Sequence, residues 1–165
     1  MTSAGGRVLS VEEAVRAVQQ WRAAGERVVL ANGVFDLLHV GHVRYLAGAR
    51  LLGDRLVVGV NGDASAAALK GAGRPVVAAT DRAAVVAALR GVDAVVIFES
   101  ATLDELIRRL APAVHAKGTD YREDTVPERA TMRALGGVTA IAGDAKSHAT
   151  RDLVERVRER CGGKA

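Results

Sequence analysis

Short apolar runs alternate with amphipathic segments along most of this 165-residue chain. The runs are rich in Val and Leu and lack polar alternation, which is typical of strands buried on both faces of a parallel sheet. They occupy residues 27–31, 55–60, 94–98, 113–116 and 138–142. Because helical segments separate them, the pattern predicts βαβ units. The predicted fold is a single α/β domain with a Rossmann-like parallel sheet of about five strands and helices on both faces.

Capping signals mark where several predicted helices begin. Ser10-Val11-Glu12-Glu13 predicts a capping box at the first helix, and Thr102-Leu103-Asp104-Glu105 predicts a second one. Thr80 or Asp81 is expected to cap the helix between them along the chain. The other predicted helices cover residues 41–52, 63–69 and 150–160. Residues 1–9 are small and polar, so we expect a flexible end to the single domain 1–165.

Composition and charge narrow the class of protein. A hydrophobic fraction of 49% with 25% charged residues is typical of a soluble globular domain. The net charge of +4 suits an acidic partner, although a basic solvated surface is an equal alternative. Basic runs with interleaved aromatic residues are absent from the sequence, which disfavours nucleic-acid binding. The lone Cys161 rules out a disulfide framework, and neither a signal peptide nor a membrane span is recognisable. We therefore expect a cytoplasmic protein without nucleic-acid or membrane partners.

The segment after the first long apolar run carries the candidate chemistry. It reads Asn32-Gly33-Val34-Phe35-Asp36-Leu37-Leu38-His39-Val40-Gly41-His42. Ligands of open α/β sheets bind beyond the carboxyl ends of the strands. His39 and His42 are three residues apart, so both rings lie on one side of the first helical turn. Free N–H groups and the helix dipole favour a phosphate there, and Gly41 lets a ligand approach the backbone.

Three interpretations of the histidine pair are open. Zinc binding would need further ligands, which neither paired cysteines nor an HExxH motif supplies. The rings could instead only cap the helix. Stabilisation of phosphate charge by both imidazoles agrees best with a strand-to-helix turn that has glycines on either side.

His39-Val40-Gly41-His42 resembles the HxGH signature of the cytidylyltransferase-like superfamily of nucleotidyltransferases. Residues 32–42 together resemble the adenylyltransferase domain that acts on D-glycero-β-D-manno-heptose 1-phosphate. In many bacteria that domain is the C-terminal half of a bifunctional kinase–adenylyltransferase. The resemblance covers nearly the whole chain and continues through Leu51–Leu56, Val60–Ser65, Leu69–Pro75, Val92–Phe98 and Lys117–Tyr121. Lys-Gly-x-x-Arg-Pro and Lys-Gly-x-Asp-Tyr are the segments that point to the heptose branch.

The resemblance implies transfer of AMP from ATP to the sugar 1-phosphate, giving ADP-heptose and pyrophosphate. A phosphate oxygen attacks the α-phosphorus without a covalent enzyme intermediate, so catalysis rests on positioning and charge stabilisation. The implied catalytic residues are His39, His42 and Lys70, the last in a glycine-flanked loop that closes over the site. Mg²⁺ should arrive with ATP and be held mainly by phosphate oxygens, so no protein metal ligand is predicted.

The other predicted site residues fall into two groups. The nucleotide-binding group is Asn32, Gly33, Val34, Phe35, Gly41, Arg82, Lys117, Gly118 and Thr150. The substrate-binding group is Asp36, Asp63, Arg74, Asp120 and Tyr121. Two of these have an alternative: Arg82 could be a solvated charge in a first helical turn, and Asp63 could only cap a helix. His115 is expected to be packed or at the rim, and His148 is a candidate to approach the site.

The last predicted helix departs from the superfamily pattern. Its start commonly reads Ser-Thr-Thr, whereas this chain has Ser147-His148-Ala149-Thr150-Arg151. Ala149 stands where the first serine is usual, which leaves Thr150 as the expected cap and phosphate ligand, with Arg151 adding charge.

Rival functions and partners are also open. The chain could be a cytidylyltransferase acting on glycerol 3-phosphate or another small phosphorylated acceptor, or a non-catalytic nucleotide-binding module. Few residues precede the first predicted helix, so we expect a stand-alone transferase supplied by a separate sugar kinase. The resemblance also suggests a homodimer.

Overall fold

The computed structural model describes residues 5–144 and 149–161. Within these ranges, six strands form one parallel sheet in the order β1-β4-β3-β2-β5-β6. The strands are β1 (Arg7–Leu9), β2 (Val28–Gly33), β3 (Arg55–Asn61), β4 (Ala94–Phe98), β5 (Val114–Gly118) and β6 (Val138–Ala142). The predicted Rossmann-like α/β sheet is confirmed, with one strand more than expected.

The additional strand is β1, which lies where the sequence predicts a flexible end. Its three residues pair with Ala94, Val95 and Val96 of β4 at the edge of the sheet. The expectation of flexibility is therefore wrong for Arg7–Leu9, whereas residues 1–4 lie outside the described part of the chain. Three residues are too few to show a hydrophobic pattern, and their backbone pairs with a segment more than 80 residues away along the chain, at and just before β4.

Helices cover both faces of the sheet. They are α1 (Val11–Ala23), α2 (Val40–Arg50), α3 (Asp63–Lys70), α4 (Ala79–Ala87), α5 (Asp104–Leu110), α6 (Arg129–Ala134) and α7 (Thr150–Cys161). One apolar core joins α2 and α4 to the sheet, and a second joins α1, α5 and Met132 of α6 to the opposite face. No helix in the described ranges is long and apolar enough to cross a membrane.

The capping predictions have mixed outcomes. The first box is confirmed: Ser10 Oγ accepts the Glu13 N–H, and the Glu13 carboxylate accepts the Ser10 N–H at 2.8 Å. The second box does not form, because α5 begins at Asp104, whose carboxylate instead accepts a hydrogen bond from the Thr131 hydroxyl. Neither Thr80 nor Asp81 caps α4, whose first N–H is bound by Asp63, a residue of another helix.

The strand order places a ligand crevice beside β2. The chain leaves β2 for β3 and β4 on one side, and later returns to place β5 and β6 on the other. The switch point therefore lies between the carboxyl ends of β2 and β5, where open α/β sheets bind ligands. The histidine segment starts at this point, directly after Gly33.

Candidate functional site

The loop between β2 and α2 has an unusual backbone. Phe35 and Leu37 have φ angles of 52° and 53°, in the left-handed region that residues with a Cβ rarely adopt. The buried Phe35 ring stacks on Tyr45 and meets His42 edge-on, with centroids 6.4 and 5.3 Å apart. Such a conformation persists only where packing enforces it, so these contacts hold the loop in shape at the start of α2.

The two histidines cap α2 through the same nitrogen of each ring. His39 Nδ1 accepts the Gly41 N–H at 3.1 Å, and His42 Nδ1 accepts the His39 N–H at 3.3 Å. The rings stack with centroids 3.8 Å apart. Because Nδ1 is the acceptor, each ring in its neutral form carries its proton on Nε2. Capping and phosphate binding are thus compatible, since they use different ring nitrogens.

His42 is neutral at physiological pH. Burial, with the added effect of His39 and Lys70, lowers the pKa of His42 to about 4. A neutral ring with Nδ1 occupied is a fixed Nε2–H donor. Lys70 ends α3, is exposed, and lies close enough for its charge to act on His42. The structure thus brings together the three residues predicted to be catalytic.

Asp36 holds the segment of residues 71–78, called here the strap. Its carboxylate, in a residue only 2% exposed, accepts the N–H groups of Val76 and Val77 at 3.0–3.1 Å. It also pairs with Arg74 Nη2 at 2.8 Å. The Asp36 carbonyl accepts the Thr150 hydroxyl at 2.9 Å, which brings the start of α7 to the same loop. Two residues predicted to bind substrate, Asp36 and Arg74, therefore bind each other.

Arg82 is occupied by the protein and does not face the crevice. It is 1% exposed; its Nε donates to Val77 O at 2.8 Å, and Nη1 donates to the carbonyls of Asn61 and Val34. Nη2 binds Asp63 at 2.8 Å. This arrangement corrects the solvated alternative for Arg82, since the side chain is buried. A nucleotide-binding role for Arg82 stays a prediction. Asp63 binds Arg82 and accepts the first N–H of α4, but it does not cap α3, the helix that it begins.

Asn32 is the centre of a polar network under the switch point. Its Oδ1 lies 3.1 Å from both Lys117 Nζ and His115 Nε2. Its N–H donates to the Tyr45 hydroxyl, which donates in turn to Ala116 O at 2.8 Å. His115 is fully buried, so it is the packed histidine of the two possibilities. The network joins β2 and β5 where Gly33 and Gly118 end them.

The remaining predicted residues lie around this crevice or beyond the described ranges. Val34 is buried beneath the loop, and Gly33 is packed so closely that an added Cβ would lie 3.1 Å from the Phe35 ring. Asp120 and Tyr121 are exposed after β5, and the Tyr121 ring centroid lies 4.9 Å from Lys117 Nζ. Thr150 begins α7. His148 lies outside the described residues.

The described residues do not fit a protein-held metal centre. In residues 5–144 and 149–161, no group of three or more His, Cys, Asp or Glu side chains could hold an ion. Asp36, the carboxylate within the loop between β2 and α2, is already bound by two amides and Arg74. Binding of Mg²⁺ through nucleotide phosphate oxygens stays a prediction.

Sequence reasoning missed two residues of the polar network, Tyr45 and Glu128. Tyr45 follows His42 by three positions, so helical spacing places both on one face and could have revealed it. Glu128 is 6% exposed with Oε2 3.7 Å from Lys117 Nζ. No motif or spacing marks Glu128, because chain folding alone brings it to β5.

Similarity to known proteins agrees with this geometry. The family model described as cytidylyltransferase-like matches residues 30–157. Bifunctional protein HldE of Methylobacillus flagellatus is 46% identical over 151 residues, covering 92% of this chain and 31% of that protein. The HldE protein of Magnetococcus marinus is 47% identical over 151 residues, covering 92% of this chain and 31% of that protein. The HldE protein of Pseudomonas aeruginosa strain LESB58 is 44% identical over 153 residues, covering 93% of this chain and 32% of that protein. The chain thus spans about a third of the length of the curated relatives it matches.

A solved structure shows the same similarity. The lipopolysaccharide core biosynthesis protein from Thermoplasma volcanium GSS1 is 29% identical, with a TM-score of 0.64. The match covers 75% of this chain and all of that one. The family match begins within β2 and includes the whole histidine loop, the strap and the β5 network. This chain belongs to the cytidylyltransferase-like family.

Proposed function

We propose that this chain is a nucleotidylyltransferase that transfers AMP from MgATP to D-glycero-β-D-manno-heptose 1-phosphate and releases pyrophosphate. The observation that carries the proposal is the histidine pair at the switch point, with each Nδ1 bound by a backbone amide. Identities of 44–47% to bifunctional HldE proteins support the substrate class. The solved relative, a lipopolysaccharide core biosynthesis protein, agrees with an activated sugar as the product.

The histidines stabilise charge without exchanging protons. In the proposed reaction, an oxygen of the sugar phosphate attacks the α-phosphorus of ATP, and the bond from that phosphorus to the leaving pyrophosphate breaks. Negative charge grows on the α-phosphate and on the leaving group. The Nε2–H groups of both imidazoles, backed by the N-terminus of α2, are oriented for those oxygens before the reaction starts.

Lys70 supplies a mobile charge beside this fixed site. It lies at the end of α3, directly before Gly71, which has a φ of 90° and open space around it. We assign Lys70 to the phosphates of the bound substrates, which a small movement of the strap would let it reach. Asp36 holds the strap and orients Arg74. Ligand roles for Asp63, Arg74, Asp120 and Tyr121, a homodimer and a separate sugar kinase stay predictions.

Pyrophosphate release tests the proposal directly. ATP and CTP with Mg²⁺ are each offered with the β and α anomers of the heptose 1-phosphate and with glycerol 3-phosphate. We expect turnover with ATP and the β anomer, reduced about 10²–10³-fold in His42→Ala because one charge-stabilising donor is lost. Leu51→Ala, which alters an 87% exposed side chain just after α2, is the matched control and should keep full activity.

Other outcomes would replace the proposal. Turnover with CTP and glycerol 3-phosphate would keep the site chemistry and reject the heptose assignment. ATP binding without pyrophosphate from any pair would indicate a non-catalytic nucleotide-binding module.

A further inference from the structure

Glu128 and Lys117 form a buried ion pair beside the crevice. Glu128 Oε2 lies 3.7 Å from Lys117 Nζ, and both side chains are less than 10% exposed. Among the residues that the structure describes, that carboxylate oxygen has no hydrogen-bond partner. Lys117 Nζ donates to Asn32 Oδ1 and lies over the Tyr121 ring. Burying two charges at this distance costs more than a pair of apolar residues would, so the pair is not explained by stability alone.

Glu128 and burial act on the charge of Lys117 in opposite directions. Burial lowers the pKa of Lys117, and the Glu128 carboxylate opposes that shift. The other titratable groups near the ammonium are uncharged: the pKa of His115 is lowered to about 3, and burial raises the pKa of Tyr45. Tyr121 presents its ring, and β6, which pairs with β5, carries no titratable side chain. Among the described residues packed against this ammonium, Glu128 is the counter-charge.

We propose that Glu128 is a positioning residue, which keeps Lys117 charged and aimed at the crevice so that the ammonium binds a substrate phosphate. The inference rests on the proposed function, because it takes a phosphorylated ligand at the switch point between β2 and β5. Asn32 fixes the ammonium from one side and Glu128 from another. The phosphate belongs either to ATP or to the sugar 1-phosphate, and separate binding measurements distinguish the two sources.

Glu128→Gln tests this role because it keeps the shape of the side chain and removes its charge. Binding of MgATP and of heptose 1-phosphate is measured separately by calorimetry from pH 6.5 to 9.5. For the ligand that Lys117 contacts, we expect affinity to begin falling at a lower pH than in the unsubstituted chain, because the ammonium has lost the carboxylate that opposes its deprotonation. Glu123→Gln removes an exposed carboxylate from the preceding 3₁₀ helix and should change nothing.

Two further variants separate positioning from folding. Lys117→Met should weaken the same ligand at every pH, and adding Glu128→Gln to it should cause no additional loss of affinity. Glu128→Asp keeps the charge, so its ligand affinity should depend on pH as in the unsubstituted chain. This variant provides the test if Glu128→Gln does not fold. A lower melting temperature with an unchanged pH dependence for both ligands would overturn the proposal, as would full affinity for both in Lys117→Met. Because binding is the readout, these results stand even if no pyrophosphate is formed.

Discussion

Replacing Arg82 by methionine distinguishes a structural arginine from a phosphate ligand. The guanidinium is 1% exposed and binds three carbonyls and the Asp63 carboxylate. Methionine fills similar space and leaves those acceptors without a donor. Breaking a buried ionic network costs about 3–5 kcal/mol, and the half-exposed Asp63 can regain water, so we expect about 3 kcal/mol. For a chain of this length, that loss lowers the melting temperature by roughly 6–12 °C.

The assay is urea unfolding followed by circular dichroism, with initial rates measured at a temperature where the variant is folded. Arg82→Lys keeps the charge but cannot reach all four acceptors, so it should fall between the other two proteins. Arg90→Met alters an exposed arginine beyond the end of α4 and should stay within about 0.5 kcal/mol of the unsubstituted chain.

The kinetic result decides between the two roles. If Arg82 is structural, the folded variant should retain most of its apparent affinity for MgATP. A variant within about 1 kcal/mol of full stability, but with a KM for ATP raised more than about tenfold, would refute the reasoning and restore the phosphate role predicted from the sequence.

Three further predictions concern the surroundings of the site. Burial lowers the pKa of His115 to about 3, so below pH 6.5 the unfolded chain binds more protons than the folded chain, and the free energy of unfolding falls as pH falls. His115→Gln should make the fall in unfolding free energy between pH 7.5 and 5 smaller by about 2 kcal/mol. An unchanged fall would contradict this prediction. Asp36→Ala should release the strap, which would give faster amide hydrogen exchange in residues 71–78 and a higher KM for the sugar phosphate. Unaltered exchange would show that Asp36 does not hold the strap. Gly48→Ala normally favours a helix, but the new Cβ would lie 2.8 Å from Gly143 N, so we expect a loss of about 1–3 kcal/mol by chemical denaturation and not a gain.

Local sequence was sufficient for the elements whose cause is local. Each of β2 to β6 contains a short run rich in Val, Leu, Ile or Ala, so these strands could be read directly from the sequence. Ser10 and Glu13 form their predicted box because both partners lie within one helical turn. The histidine pair was found for the same reason: its spacing and the helix that follows fix both rings on one side.

Elements that depend on a distant partner could not be read in this way. Arg7–Leu9 becomes a strand only because β4 lies beside it. The first N–H of α4 is bound by Asp63, and the Asp104 side chain at the start of α5 is bound by Thr131 of α6, so the local capping residues at 80, 81 and 102 gave wrong predictions. At these helix starts, side chains from other segments form hydrogen bonds in place of those expected from the local residues. Because those side chains are far away along the chain, local sequence patterns do not reveal them.

The sequence by itself determined the class of fold, the family and the chemical identity of the site, since those depend on residue types at short spacing. The tertiary structure decided which polar residues are bound by other parts of the protein. Asp36 and Arg74 bind each other, and Arg82 is saturated by carbonyls from three segments. Glu128 reaches Lys117 from a separate segment of the chain. A charged side chain binds the nearest suitable partner in space, and for a buried residue that partner is set by the packing of elements far apart along the chain.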